Sequence, residues 1–334
     1  MNAGRKTIII AAALALLCAA AFVALKLNGR YQYMLKLLEL NTEMGESLSS
    51  RMDSLEEIGR DTESVKWLLS EGRYSAQELD YSWVDGNRLV AHAFGAVEDG
   101  GETKDYTNSL EAFERNYALG HRVFEVDFML TSEGSLVAGH DWQTFRTLAG
   151  LPQSDDAWAP MSLEEFKNTE ISEGRLTQMT GADLVSLMAQ YPDIYILTDS
   201  KLGDAVNTRL EFSQLVWLAE SNGTPEVLDR LIVQIYNQEM LGVIQDIFPF
   251  KSVIYTLYQS GDDDAEVLDF CAAKGIKVVT MPRGRNTAAF VGALKDAGIY
   301  TYIHTINETF EVAEAEGVGV YGFYTDTLCP SDLP

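Results

Sequence analysis

VFEVDFMLTSEGSLVAGHD, residues 123–141, contains two apolar runs separated by little more than the five residues TSEGS. A parallel crossover needs a dozen residues or more, so these two runs must pair as an antiparallel hairpin. Outward from it, short apolar runs alternate with helical segments. LVAHAF (89–94) precedes SLEAFERNYALG; after the hairpin come SLEEFKN and GADLVSLMAQYP, then IYILTDSK with RLEFSQLVWLAESNG. LIVQIYN, SVIYTLYQ, KVVTMPR and YTYIHTI each lead into a further helical segment, and VYGFYTD ends the series. The runs are rich in Val, Ile and Tyr, and several helical segments end in a glycine suited to a C-cap (Gly120, Gly275, Gly298, Gly317).

Without the return strand of the hairpin, the parallel runs number eight. That count predicts an α/β chain folded as a (β/α)8 TIM barrel of about 245 residues. A doubly wound open sheet is the alternative, but no glycine-rich phosphate loop follows the first run.

Such a barrel gathers catalytic groups at the C-terminal ends of its strands. His92, Glu125, Asp127, Asp199 and Lys201 all fall there, and His140 and Asp141 close the hairpin. Side chains two apart on a strand share a face, so Glu125 points with Asp127 and Asp199 with Lys201. Glu125, Asp127 and Asp199 form a hard-oxygen set suited to Mg2+ or Ca2+ rather than zinc. The alternative is a buried ion pair with Lys201, because carboxylates in apolar runs are costly to bury alone. His92 and His140 suit a general base and a general acid. Asp141 either orients His140 or caps the following turn. His304 faces the site or the core, and His121, at the start of its strand, is structural. Lys201 stabilises a phosphoryl charge, pairs with Asp199, or both. Asn108 and Ser109 stand where an ordinary N-cap would also place them. Trp142 and Tyr236 are candidate pocket walls with a core role as the alternative.

The chain has 334 residues, 46% of them hydrophobic, and a net charge of −25. Disorder is excluded by the first figure, and a nucleic-acid partner, which needs basic surface, by the second. Residues 7–25, TIIIAAALALLCAAAFVAL, follow Arg5 and Lys6. Their length predicts a single-pass anchor with the N-terminus cytoplasmic and the remainder outside. A cleaved signal peptide and lipoprotein attachment at Cys18 are the alternatives. Residues 1–27 are thus assigned to the anchor, 28–84 to a helical stalk or packing segment, and 85–334 to the barrel. Cys271 and Cys329 fit no metal motif and are read as two buried free thiols, with a disulfide between them as the alternative. Protein partners are not indicated.

In order along the chain, these residues resemble the glycerophosphodiester phosphodiesterase family, which is related to the phosphatidylinositol phospholipase C barrels. The family's His-Arg stands here as His92-Ala93, its Glu-Asn-Thr as Thr107-Asn108-Ser109, and its Glu-x-Asp as Glu125-Val126-Asp127. His140-Asp141 follows, then Asp199-Ser200-Lys201 for Glu-Ile-Lys, His304–Asn307 for Trp-Thr-Val-Asn, and Thr325-Asp326. The resemblance covers residues 89–328. It implies His92 and His140 as the acid–base pair, and Glu125, Asp127 and Asp199 as ligands of a divalent cation, Ca2+ or Mg2+. It further implies a phosphate contact at Lys201 and substrate contacts at Asn108, His304 and Trp142. Three departures stand out: Ala93 removes a bidentate phosphate clamp, Asp199 is shorter than Glu, and His304 makes the pocket more polar. The expected substrates are glycerophosphodiesters, lipid head groups or glycerol-phosphate polymers. A catalytically weak module that binds phosphorylated polymer, and a scaffold of an envelope complex, are the other readings.

Overall fold

The computed structural model describes residues 79–154, 159–201 and 203–333. From β1 (Leu89–Ala91) the chain makes a small hairpin, β2 (Val97–Asp99) and β3 (Glu102–Lys104), and enters α1 (Leu110–Ala118). β4 (Val123–Leu130) turns back as β5 (Leu136–Ala138), followed by α2 (Trp142–Leu148), α3 (Leu163–Asn168) and α4 (Gly181–Gln190). Strand–helix units then repeat: β6 (Tyr195–Ser200) with α5 (Ala205–Ser221), β7 (Leu231–Ile235) with α6 (Gln238–Gln245), and β8 (Ser252–Thr256) with α7 (Asp264–Lys274). β9 (Val278–Pro282) with α8 (Ala288–Asp296), β10 (Tyr300–His304) with α9 (Thr309–Gly317), and β11 (Gly322–Thr325) complete the series.

Eight strands pair in parallel in the order β1, β4, β6, β7, β8, β9, β10, β11, and β11 pairs back to β1, so the sheet closes. β5 lies antiparallel to β4 with Met129 opposite Val137, as the short TSEGS connection requires. Three elements depart from the alternation read in the sequence. β2 and β3 are three residues each and carry VED and ETK, too short and too polar for a strand periodicity to register. α2 starts directly after the site hairpin, with Asp141 as its N-cap.

Helix starts follow cap chemistry. The side chains of Ser109, Ser162, Thr180, Asn237, Asp263 and Thr287 each accept a backbone N–H of the first turn. Gly275 is a left-handed C-cap at φ 70°. Gly317 is not a cap: it lies inside α9, and Gly319 takes the turn at φ +99°.

Strand periodicity divides the barrel interior into levels. Val90, Val123, Leu197, Ile232, Ile254, Val278, Tyr302 and Tyr324 form an apolar layer at the N-terminal end, closed from below by Trp83 and Val84 of the short turn Ser82–Val84. The packed unit therefore begins upstream of residue 85. Trp83 and Tyr302 meet with ring centroids 5.9 Å apart. Gly322 makes room for this plug, since a Cβ there would come 2.2 Å from the Tyr302 ring. Two residues further along each strand the same inward face carries His92, Glu125, Asp199, Gln234, Thr256, Thr280, His304 and Asp326.

The anchor at 7–25, Cys18 and the stalk over 28–78 lie outside the described residues. Among the described residues no helix is long and apolar enough to cross a membrane. Cys271 is buried, whereas Cys329 is half-buried, correcting the expectation of two buried thiols; both are free.

Candidate active site

Glu125 and Asp127 project from β4, and Asp199 of β6 sits in register with Asp127. All three are buried, and one oxygen from each lies within 4.8 Å of the others. Each is fixed from behind. The Ala93 N–H donates to Glu125 Oε2 at 2.6 Å. Asn108 clamps Asp127, its Nδ2 donating to Oδ2 at 2.8 Å while its Oδ1 accepts the Asp127 N–H at 3.0 Å. Gln234 Nε2 donates to Asp199 Oδ1 at 2.7 Å, and the Tyr236 hydroxyl donates to the same oxygen.

Lys201 Nζ bridges two of the carboxylates, donating to Asp127 Oδ1 and, at 2.6 Å, to Asp199 Oδ2. Both alternatives read from the sequence thus coexist: an ion pair is built into a carboxylate cluster. Burial disfavours charge on every member. Against it the Lys201 ammonium holds Asp127 below the usual carboxylate range, while burial and the Asp127 charge push Glu125 well above it. Burial also raises Asp199. One ammonium does not balance three carboxylates, and the oxygens already converge without competing thiol ligands. A hard divalent cation fits this donor set in charge and in chemistry.

The two histidines are each held by an aspartate. His92 Nδ1 lies 2.8 Å from Asp326 Oδ1, and His140 Nδ1 lies 2.6 Å from Asp141 Oδ2. A carboxylate only accepts, so the proton sits on Nδ1 in each and Nε2 is the nitrogen left for chemistry. His92 Nε2 is 4.0 Å from Glu125 Oε2. Burial opposes charge on His92, yet Glu125, Asp326 and Asp127 together carry its pKa up to about 9. Asp141 does both jobs expected of it: it orients His140 and also caps α2, accepting the Thr144 N–H at 2.7 Å.

A cavity of about 240 Å³ opens over these groups, with His92, Glu125, His140, Asp199, Lys201 and His304 in its wall. The structure therefore brings together His92, His140, the carboxylates and Lys201. His304 joins them at the end of β10; burial, with His92 nearby, lowers its pKa to about 4 and keeps it neutral. Two expected substrate contacts are placed elsewhere. Trp142 is buried against Phe145 and Phe166, because α2 turns that face into the apolar core. Asn108 is buried behind Asp127 and reaches the site only through it. Tyr236 is likewise buried, acting on Asp199 rather than forming a wall. His121 is structural as expected, its Nε2 donating to the Leu328 carbonyl at 2.9 Å.

Sequence reasoning gave no role to Asp326 or Gln234, nor to Tyr106 and Tyr258, which also line the cavity. Asp326 and Gln234 each follow an inward apolar residue by two positions, so the rule that grouped Glu125 with Asp127 would have found them. Tyr106 comes from a loop with no periodicity to read.

The sequence profile of the glycerophosphoryl diester phosphodiesterase family matches residues 100–328. Solved structures are similar at low identity. A Silicibacter pomeroyi protein assigned to the glycerophosphoryl diester phosphodiesterases is 18% identical with a TM-score of 0.60, over 76% of this chain and 96% of that one. A glycerophosphodiester phosphodiesterase from Parabacteroides distasonis is 18% identical with a TM-score of 0.56, over 72% and 92%. An Oleispira antarctica phosphodiesterase, solved with the product sn-glycerol-3-phosphate, is 17% identical with a TM-score of 0.56, over 72% and 92%. The structural likeness shares the barrel, and the profile match over more than half of the sequence decides the membership: this chain belongs to the glycerophosphoryl diester phosphodiesterase family, as a phosphoric diester hydrolase.

Proposed function

We propose that this chain hydrolyses phosphodiesters by two-histidine acid–base catalysis assisted by a divalent cation, Ca2+ or Mg2+, held by Glu125, Asp127 and Asp199. The observation that carries the reading is the convergence of two aspartate-oriented imidazoles on a buried carboxylate triad. When bound, the cation supplies positive charge against the diester's non-bridging oxygens. Lys201, held charged by Asp127, Asp199 and Glu125 against the cost of burial, adds a further positive charge beside them. One imidazole takes a proton from the attacking hydroxyl, either water or a neighbouring hydroxyl of the substrate. The other returns a proton to the departing alkoxide. Asp326 and Asp141 keep both rings in the orientation and tautomer this requires.

Glycerophosphodiesters, lipid head groups and glycerol-phosphate polymers are the proposed substrates. The last two rest on the apolar run at 7–25, which we read as a membrane anchor that places the barrel outside the cell membrane. Purified protein is expected to release glycerol phosphate or a phosphorylated alcohol in the presence of Ca2+ or Mg2+. Activity that persists in chelator, or in His92→Ala, sinks the mechanism.

A further inference from the structure

Tyr106 stands between the two histidines of the site. Its ring meets His92 and His140 edge-on, each at a centroid distance of 4.8 Å, with interplanar angles of 80° and 79°. All three rings line the cavity over the carboxylates.

Each imidazole has a hydrogen bond at Nδ1, to Asp326 or to Asp141. Such a bond pins one edge of the ring and leaves a hinge about it. The side chain itself does little to stop the tilt, because the terminal torsion of a histidine is broad rather than sharply staggered. A second contact, edge-on to another ring, acts as the stop. Tyr106 supplies it to both imidazoles at once. Burial, with the charges of Asp326, Asp127, Asp105 and Glu125, pushes its phenol up to about 12. The ring is therefore neutral and adds no charge between the two histidines.

The backbone at Tyr106 is fixed from both directions. Two residues earlier, Lys104 ends β3 and donates to the buried Asp99 and, at 3.0 Å, to the Ser172 hydroxyl. Arg175 donates to the other Asp99 oxygen, so the β2–β3 hairpin is tied to the loop after α3. Two residues later, Asn108 clamps Asp127. Tyr106 has φ 53°, a left-handed conformation that an aromatic residue keeps only where its surroundings enforce it.

The gap between the imidazoles matters to the reaction. In-line displacement puts the attacking and departing oxygens on opposite sides of phosphorus. Proton acceptor and donor must then stand apart by a phosphoryl group with a hydrogen bond of about 2.6–3.2 Å at each end. Rings that tilt towards each other close that gap, and a ring interposed between them keeps it open.

Resting on the phosphodiesterase reading above, we propose that Tyr106 is a positioning residue whose aromatic ring is the spacer that sets the distance and tilt of His92 against His140. The Asp99–Lys104–Arg175 network holds the spacer in place, and the tyrosine hydroxyl is not required.

The test uses full-length protein with Mg2+ or Ca2+ and the methyl diester of sn-glycerol 3-phosphate. Tyr106 is half-buried on a loop, so its replacement leaves the apolar core intact, and Tm checks this. Tyr106→Phe should stay within about twofold of wild type, whereas Tyr106→Ala should lose about tenfold or more, mainly in kcat rather than KM. Against His92→Ala, where no separation is left to set, Tyr106→Ala should cost less than about threefold. Three results overturn the spacer: no loss in Tyr106→Ala, an equal loss in Tyr106→Phe, or the full loss repeated on the His92→Ala background. In each of them, hydrolysis by the wild-type protein leaves the phosphodiesterase reading standing. No hydrolysis by the wild-type protein overturns both.

Discussion

At the N-terminal end of the barrel the inward face carries Val123, Leu197, Ile232, Ile254 and Val278, sealed by Trp83 and Tyr302. Two residues further along the same strands, towards the C-terminal end, it carries the buried carboxylates Glu125 and Asp199, and Asp127, the Lys201 ammonium and the imidazoles gather around them. The backbone geometry is shared; what differs is how each end treats polarity. The lower end holds few polar groups: Tyr302 donates to the Asn87 carbonyl at 2.7 Å and His121 to that of Leu328 at 2.9 Å, while Trp83 Nε1 and His121 Nδ1 are buried without a hydrogen-bond partner. The upper end crowds like charges that one lysine does not balance. Stability should therefore reside below and reactivity above, and substitutions can separate the two.

The largest effect is expected above. His92→Ala and His140→Ala should each lower kcat by about 10²–10⁴-fold with little change in Tm. A diester with a p-nitrophenyl arm, which departs without a proton, sharpens this. The variant lacking the proton donor should keep more activity on it than the variant lacking the acceptor, and steady-state kinetics on both substrates reads the difference. Next comes Trp83→Ala, which should destabilise the fold by about 3–5 kcal/mol while leaving kcat unaltered where the protein remains folded. Denaturant titration with parallel assays checks it, and a matching loss of kcat would break the division.

Smaller still is a pH effect from the lower end. Burial lowers the His121 pKa to about 4 from its ordinary 6.5. As pH falls, the unfolded chain takes up this proton first, so the stabilisation is present above about pH 6.5 and is lost on the way to pH 4. It amounts to at most about 3 kcal/mol. His121→Gln should flatten the difference in urea midpoint between pH 7 and pH 4.5 relative to wild type. The smallest expected effect is that of Asn108→Ala, which unclamps Asp127 and should weaken Ca2+ or Mg2+ binding by about 10- to 100-fold in calorimetry.

Much of this division was legible in the sequence. Eight apolar runs and one five-residue gap specify the barrel and its single antiparallel return, because connection length restricts strand direction. The pairs Glu125–Asp127 and Asp199–Lys201 follow from a period of two. What escaped was non-periodic or reciprocal. Tyr106 reaches the site from a loop at φ 53°, which no apolar pattern announces. Trp142 was misplaced because α2 begins immediately after His140 and Asp141 and rotates the tryptophan into the core. Asn108 serves the site through Asp127, a partnership formed only when β4 and the loop before α1 come together.

Ala93 stands where the family resemblance places an arginine, yet its backbone N–H holds Glu125 Oε2 at 2.6 Å. That contact comes from the main chain and survives replacement of the side chain. Position 93 can therefore change its side chain without moving the Glu125 oxygen that we propose as a cation ligand. That change has a restricted alphabet: φ is 50° at this residue, so β-branched replacements are disfavoured while glycine, asparagine and unbranched chains remain open.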